Sequence, residues 1–129
     1  MHSEQMDIEW SYTKLIPSEK HVDIKLDPQV SGGYYVFEVN VIDMPGGRND
    51  IRILVYDEDS YKNVPLNLSK GQTGSSKPQT PSPLLSAKLY WGKLYFKPTF
   101  VGTYFLILDN TYSQFTLKKV DLKVHWIHT

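Results

Sequence analysis

The chain has 129 residues, room for one hydrophobic core and little for a second. Its 14 Lys and Arg balance 14 Asp and Glu, so no overall field favours nucleic acid or an anionic membrane. The absence of cysteine rules out a disulfide framework, a thiolate zinc site and a cysteine nucleophile, and makes the cytosol the expected home.

The N-terminal stretch MHSEQMDIEW is polar and acidic, unlike a secretory signal, and no run of about 18 apolar residues offers a membrane span. From Val22 the pattern is that of strands. Val22, Ile24 and Leu26 alternate with Asp23 and Lys25, as a strand with one wet face requires. Tyr35, Phe37, Val39 and Val41 alternate in the same way against Glu38 and Asn40, and Ile51, Ile53 and Val55 follow. Between these two segments, Met44-Pro45-Gly46-Gly47-Arg48-Asn49 combines a fixed proline φ with glycines free to take positive φ, which predicts a hairpin.

Acidic residues gather around the next strand. Asp43, Asp50, Asp57 and Asp59 offer oxygen ligands of the kind calcium takes, and Val55-Tyr56-Asp57-Glu58-Asp59 resembles a loop of calcium-dependent phospholipid-binding sandwich modules. The alternative is a solvated strand end kept soluble by its charges, and no metal or other cofactor is expected. Asn67-Leu68-Ser69 matches a glycosylation sequon but reads as a chance match. Residues 69–83, SKGQTGSSKPQTPSP, contain no large apolar side chain, so burial cannot repay their ordering entropy and a flexible surface loop is expected.

Further strands are predicted at Ser86–Phe96, Thr103–Leu108 and Phe115–Ile127. Six or more strands with turn signals between them indicate an all-β fold, an antiparallel sandwich or jelly roll in one domain over residues 1–129. Tyr34, Tyr56, Tyr90, Trp91 and Tyr95 could form an aromatic platform for sugars. In Lys88–Phe96, however, consecutive apolar residues equally suit a strand buried on both faces, so most of these rings are expected in the core. Tyr104, Leu106 and Leu108 share one face and Phe105 and Ile107 the other, which makes this segment a central strand. Asp109-Asn110 then supplies a side-chain-stabilised hairpin turn, to which Ser113 adds a further bond. Phe115 and Leu117 are out of phase with Val120, Leu122, Val124 and Trp126, so a bulge or bend is predicted near Lys118–Lys119. His125 and His128, three apart on a strand, point to opposite faces and do not make a metal pair. There is no nucleophile elbow and no phosphate-cradling glycine motif, so no enzyme is expected.

The last third carries a family resemblance. Tyr104 leading a strand, Asp109-Asn110, Ser113, then Lys118 and Val120 resemble the C-terminal signature of the GOLD (Golgi dynamics) domain. Gly102 before the strand, Asp50–Val55 as a middle strand and the insertion before the last strands are also similar to that family. The resemblance implies a non-enzymatic module that binds a protein partner, and sometimes a membrane, at Golgi or endosomal membranes. It lies closest to cytosolic members associated with CRAL-TRIO lipid-transfer proteins, because the cysteine pair, coiled coil and span of the cargo receptors are missing here. It also implies an isolated domain of a longer chain. Lys118, Lys119 and Lys123 are the candidate contacts to anionic lipid headgroups, with Lys14, Lys20 and Lys25 joining them if the fold brings them together.

Overall fold

The computed structural model describes residues 5–26, 32–42, 50–63, 82–112 and 117–128. Within them run β1 (Gln5–Ile16), β2 (His21–Leu26), β3 (Gly33–Ile42), β4 (Ile51–Asp57), the short α1 (Glu58–Tyr61), β5 (Leu85–Leu89), β6 (Trp91–Phe96), β7 (Tyr104–Asp109) and β8 (Lys118–His128). Two four-stranded sheets pack face to face, one in the order β1-β8-β3-β6 and the other β2-β7-β4-β5. All neighbours are antiparallel. This interleaving of early and late strands is the jelly-roll order.

The core forms because each strand lays its alternate apolar residues on the inner face. Tyr35, Phe37, Val39 and Val41 of β3, with Val120, Leu122, Val124 and Trp126 of β8, meet Ile51, Ile53 and Val55 of β4 and Tyr104, Leu106 and Leu108 of β7. Tyr35 and Trp126 pack edge to face with centroids 4.9 Å apart. A smaller cluster of Leu54, Tyr56 and Ile107 lies on the outer face of the second sheet under Tyr61. There, α1 is capped by the Asp57 carboxylate, which accepts from Ser60 N at 2.7 Å, and Tyr61 stacks on Phe105 with centroids 3.9 Å apart. β7 is therefore a central strand, apolar on both faces.

Several local expectations change. The segment from Gln5, read only as a polar terminus, is an edge strand: Trp10, Tyr12 and Ile16 reach the core and alternate with Glu9, Ser11 and Thr13. The turn residues 44–49 lie outside the described residues, but β3 and β4 belong to different sheets, so the connection is an arch between layers and not a hairpin. The same holds for β7 and β8. Turn chemistry reverses a chain equally well in either setting, and the need to bring two apolar faces together decides which one forms. Ser86–Phe96 is two strands, β5 and β6, parted at Tyr90. Gly92, at φ +145°, lets the chain cross between sheets there. No bulge occurs at Lys118–Lys119: the ladder runs unbroken from Ile16↔Lys118 and Ile42↔Lys119, and the shift of register falls between Met6 and Ile8 of β1. Lys118 is in phase with Val120, so the change of phase falls before β8, next to residues 113–116, which lie outside the described residues. So do 69–81 of the expected loop and the sequon.

Candidate functional site

The described residues of the expected signature lie toward both ends of the sandwich: Tyr104 opens β7 opposite Asp57, whereas Asp109, Asn110 and Lys118 gather at the other end, near Ile16 and Asp50. Asp109, fully buried, receives the Arg52 guanidinium through Nε at 2.6 Å and through Nη2, and accepts from Thr111 N at 2.8 Å. Asn110 fastens the β1–β2 arch. Its Nδ2 donates to the carbonyls of Ile16 (3.0 Å) and Pro17 (3.1 Å), its N donates to Lys20 O at 2.9 Å, and its carbonyl accepts from Glu19 N at 3.1 Å. Tyr104 donates its hydroxyl to Phe100 O at 2.7 Å, and Val120 is core. Ser113 lies outside the described residues. The pair Asp109-Asn110 thus joins arches that link the two sheets, where a hairpin turn had been expected.

Next to it sits a charged cluster. Lys118, 1% exposed, reaches across the end of the sandwich to donate to the Asp50 carbonyl at 2.6 Å, with Asp50 Oδ1 at 3.4 Å. The Tyr112 hydroxyl donates to Asp50 Oδ1 at 2.9 Å. Its ring lies under three cations, with Lys88 Nζ 4.1 Å, Lys118 Nζ 5.0 Å and Arg52 Cζ 5.8 Å from the centroid. Partial burial alone would raise the Asp50 carboxyl, but the Tyr112 hydrogen bond and the Lys118 charge hold it below its usual value. Burial, then the bond to Asp50, pushes the Tyr112 hydroxyl far up. Both side chains stay in the protonation state that holds the link together at neutral pH. The cluster locks the ends of the two sheets together.

The structure separates the other candidates. Asp50 precedes β4 and Asp57 ends it, roughly 20 Å away at about 3.3 Å per residue. Asp57 is engaged as the α1 cap, Asp59 is exposed beside it, and Asp43 lies outside the described residues. Among the described residues no three His, Asp or Glu are grouped to hold a metal. His125 is buried on β8, and His128 is exposed at its C-terminal end, so they do not converge. Of the three candidate lipid contacts, Lys118 must be withdrawn, because its inward phase buries its ammonium group on Asp50. Lys119 and Lys123 lie on the outer face of the first sheet, where Lys123 pairs in register with Glu38, while Lys25 lies on the second sheet. No single basic patch forms from them. Among the described residues no helix is long and apolar enough to cross a membrane.

The aromatic rings are the largest departure from expectation. Tyr56 is buried and Tyr34 half-buried, but Tyr90, Trp91 and Tyr95 are exposed, Trp91 by 64%. β6 is an edge strand whose outer face is wet, so Trp91, Lys93 and Tyr95 alternate outward with Leu94 and Phe96 inward. That period of two was legible, but an apolar-rich run masked it. Two surfaces result. Leu84, Tyr95 and Thr99 line a shallow depression of about 310 Å³ at the end of the β5–β6 edge, and exposed Phe100 and Val101 follow Thr99 directly. A second concavity of about 580 Å³ lies on the outer face of the first sheet beside Trp91.

No protein-family model and no curated protein matches the chain.

Proposed function

We propose that the chain is a non-catalytic protein-binding module on a GOLD-like jelly roll, an adaptor at Golgi or endosomal membranes or beside a lipid-transfer domain. The observation that carries the reading is the apolar rim of Leu84, Tyr95, Phe100 and Val101, each at least half exposed. Large exposed apolar and aromatic side chains grouped on one rim are what an interface core requires, and scattered single ones are not. The signature residues speak for a scaffold role: Asn110, Tyr104 and Lys118 bond backbone carbonyls and Asp109 bonds Arg52 and Thr111, all four buried. Tyr104, bonded to Phe100 O, steadies the rim itself, while Asp109, Asn110 and Lys118 hold the opposite end of the scaffold. The test is capture from Golgi-membrane and cytosolic extracts by the wild type and by a Leu84→Ser/Phe100→Ser variant. Saturable capture lost in a folded variant supports the reading, and equal capture by both refutes the rim.

A further inference from the structure

The concavity beside Trp91 differs in kind from the apolar rim. Its residues stand in two register rows across the first sheet: Trp91 opposite Asn40 opposite Asp121, and Lys93 opposite Glu38 opposite Lys123. The indole forms one wall and is steadied edge-on by Tyr90, with centroids 6.3 Å apart at 77°. The polar side chains of its lining alternate outward from the core, and Val39 and Gly92 complete the lining. Two lysines and two carboxylates balance, leaving the surface neutral. Donors and acceptors lie side by side on it. Glu38 faces Lys93 at 3.8 Å and His125 at 3.2 Å, and Asp121 accepts from Thr13 at 2.9 Å. The exposed Glu38–Lys93 pair contributes little, so an incoming hydroxyl can exchange for either partner.

We infer that this concavity is a binding site for a neutral oligosaccharide, with one hexose stacked on Trp91. A hexose has a C–H face that lies flat on an aromatic ring and a rim of hydroxyls that both donate and accept. The site offers one large ring and a mixed set of donors and acceptors, matching both features. A phosphate, a nucleic acid or an anionic headgroup would call for a net positive lining, which the two carboxylates cancel. The volume of about 580 Å³ falls in the range of small-ligand sites. Tyr95 lies four residues further along the same face of β6, about 13 Å on, with Tyr34 beside it at 6.2 Å, so a chain of sugars running along the edge strand meets a second ring. The inference goes beyond the adaptor reading: Tyr95 borders both surfaces, but Leu84 and Phe100, which test the rim, do not line this one.

The experiment is a printed array of neutral and anionic glycans, followed by NMR titration of the best neutral tetrasaccharide against the full chain. The chain has three tryptophans, and Trp126 is buried while Trp91 is exposed, so their indole N–H signals report separately. Expected is saturable movement of the Trp91 signal with Trp126 unmoved, a loss of affinity of about tenfold or more in Trp91→Ala, and a smaller loss in Asp121→Asn. Trp91→Phe should retain part of the affinity, and Leu84→Ser/Phe100→Ser should retain it all. No neutral glycan bound, unchanged affinity in Trp91→Ala, or binding confined to sulfated glycans or to phosphatidylserine vesicles would each overturn the assignment. Because each variant keeps the Trp126 signal as a check of folding, failure here is distinct from failure of the rim.

Discussion

Lys118 and Asp50 should respond unequally to substitution, and the inequality follows from where each sits. Lys118 is 1% exposed and Asp50 side-chain atoms are 24% exposed. Removing one partner of a fully buried pair costs about 3–5 kcal/mol, because it strands the other charge without water. Asp50→Ala strands the Lys118 ammonium, though the Asp50 carbonyl at 2.6 Å remains as a partner, so the cost falls to about 2–3 kcal/mol. Lys118→Met instead removes the buried charge, keeps the packing of the stem and leaves a carboxylate that water can reach. Its cost should be about 1 kcal/mol or less. The double variant should be more stable than Asp50→Ala alone, a coupling that two independent sites would not show. Urea unfolding followed by circular dichroism measures all four proteins. With a slope of about 1.5 kcal/mol per molar, Asp50→Ala shifts the midpoint by roughly 1.3–2 M. The pH dependence supplies a sign: the Asp50 carboxyl titrates below its free value of 3.8, so the link is intact above that pH and is lost as pH falls through the lower folded value. Asp50→Ala should therefore flatten the acid limb of the stability curve. Lys118→Met as damaging as Asp50→Ala, or strict additivity, would refute the reasoning.

Two further outcomes follow from close packing and from tyrosine environment. A Cβ on Gly33 would lie 2.5 Å from the Ile127 carbonyl and 2.6 Å from the Trp126 ring, so Gly33→Ala should destabilise by roughly 2–3 kcal/mol, against no loss if β3 and β8 did not meet there. Of the nine tyrosines, Tyr61, raised to about 12 by its hydrogen bond to the Asp23 carboxylate, and Tyr112, raised further by burial, should ionise late in an ultraviolet titration. Both contribute stability that is full below pH 10 and lost as pH rises through the folded values, and Asp23→Asn should return Tyr61 toward 10. A single ionisation step near pH 10 for all nine in the folded protein would contradict this.

The alternation of Tyr35–Val41, Ile51–Val55 and Tyr104–Leu108 was enough to read the fold class and the central position of β7, because period two is imposed by the pleat itself. What could not be read there was which strands pair. The turn chemistry of 44–49 and of Asp109-Asn110 reverses a chain without choosing between a hairpin and an arch across layers. The partners of Asp109 and Asn110, which are Ile16, Lys20 and Arg52, lie 57 to 94 residues away along the chain, where no local pattern reaches. Lys118 looked like a surface lysine because its chemistry outweighed its parity with Val120. Trp91 and Tyr95 looked like core because aromatic content in β6 outweighed its own alternation. In both cases the period was the better guide, and the residue type misled.

The central claim is that the signature residues hold the scaffold while the Leu84–Phe100 rim does the binding. Its most direct test is quantitative capture of a partner from Golgi-membrane extract by wild type, Leu84→Ser/Phe100→Ser and Lys118→Met, each matched for thermal midpoint. The account predicts saturable capture by wild type and by Lys118→Met, and at least a tenfold loss in the rim variant. Capture that survives the rim change but fails in Lys118→Met would contradict it.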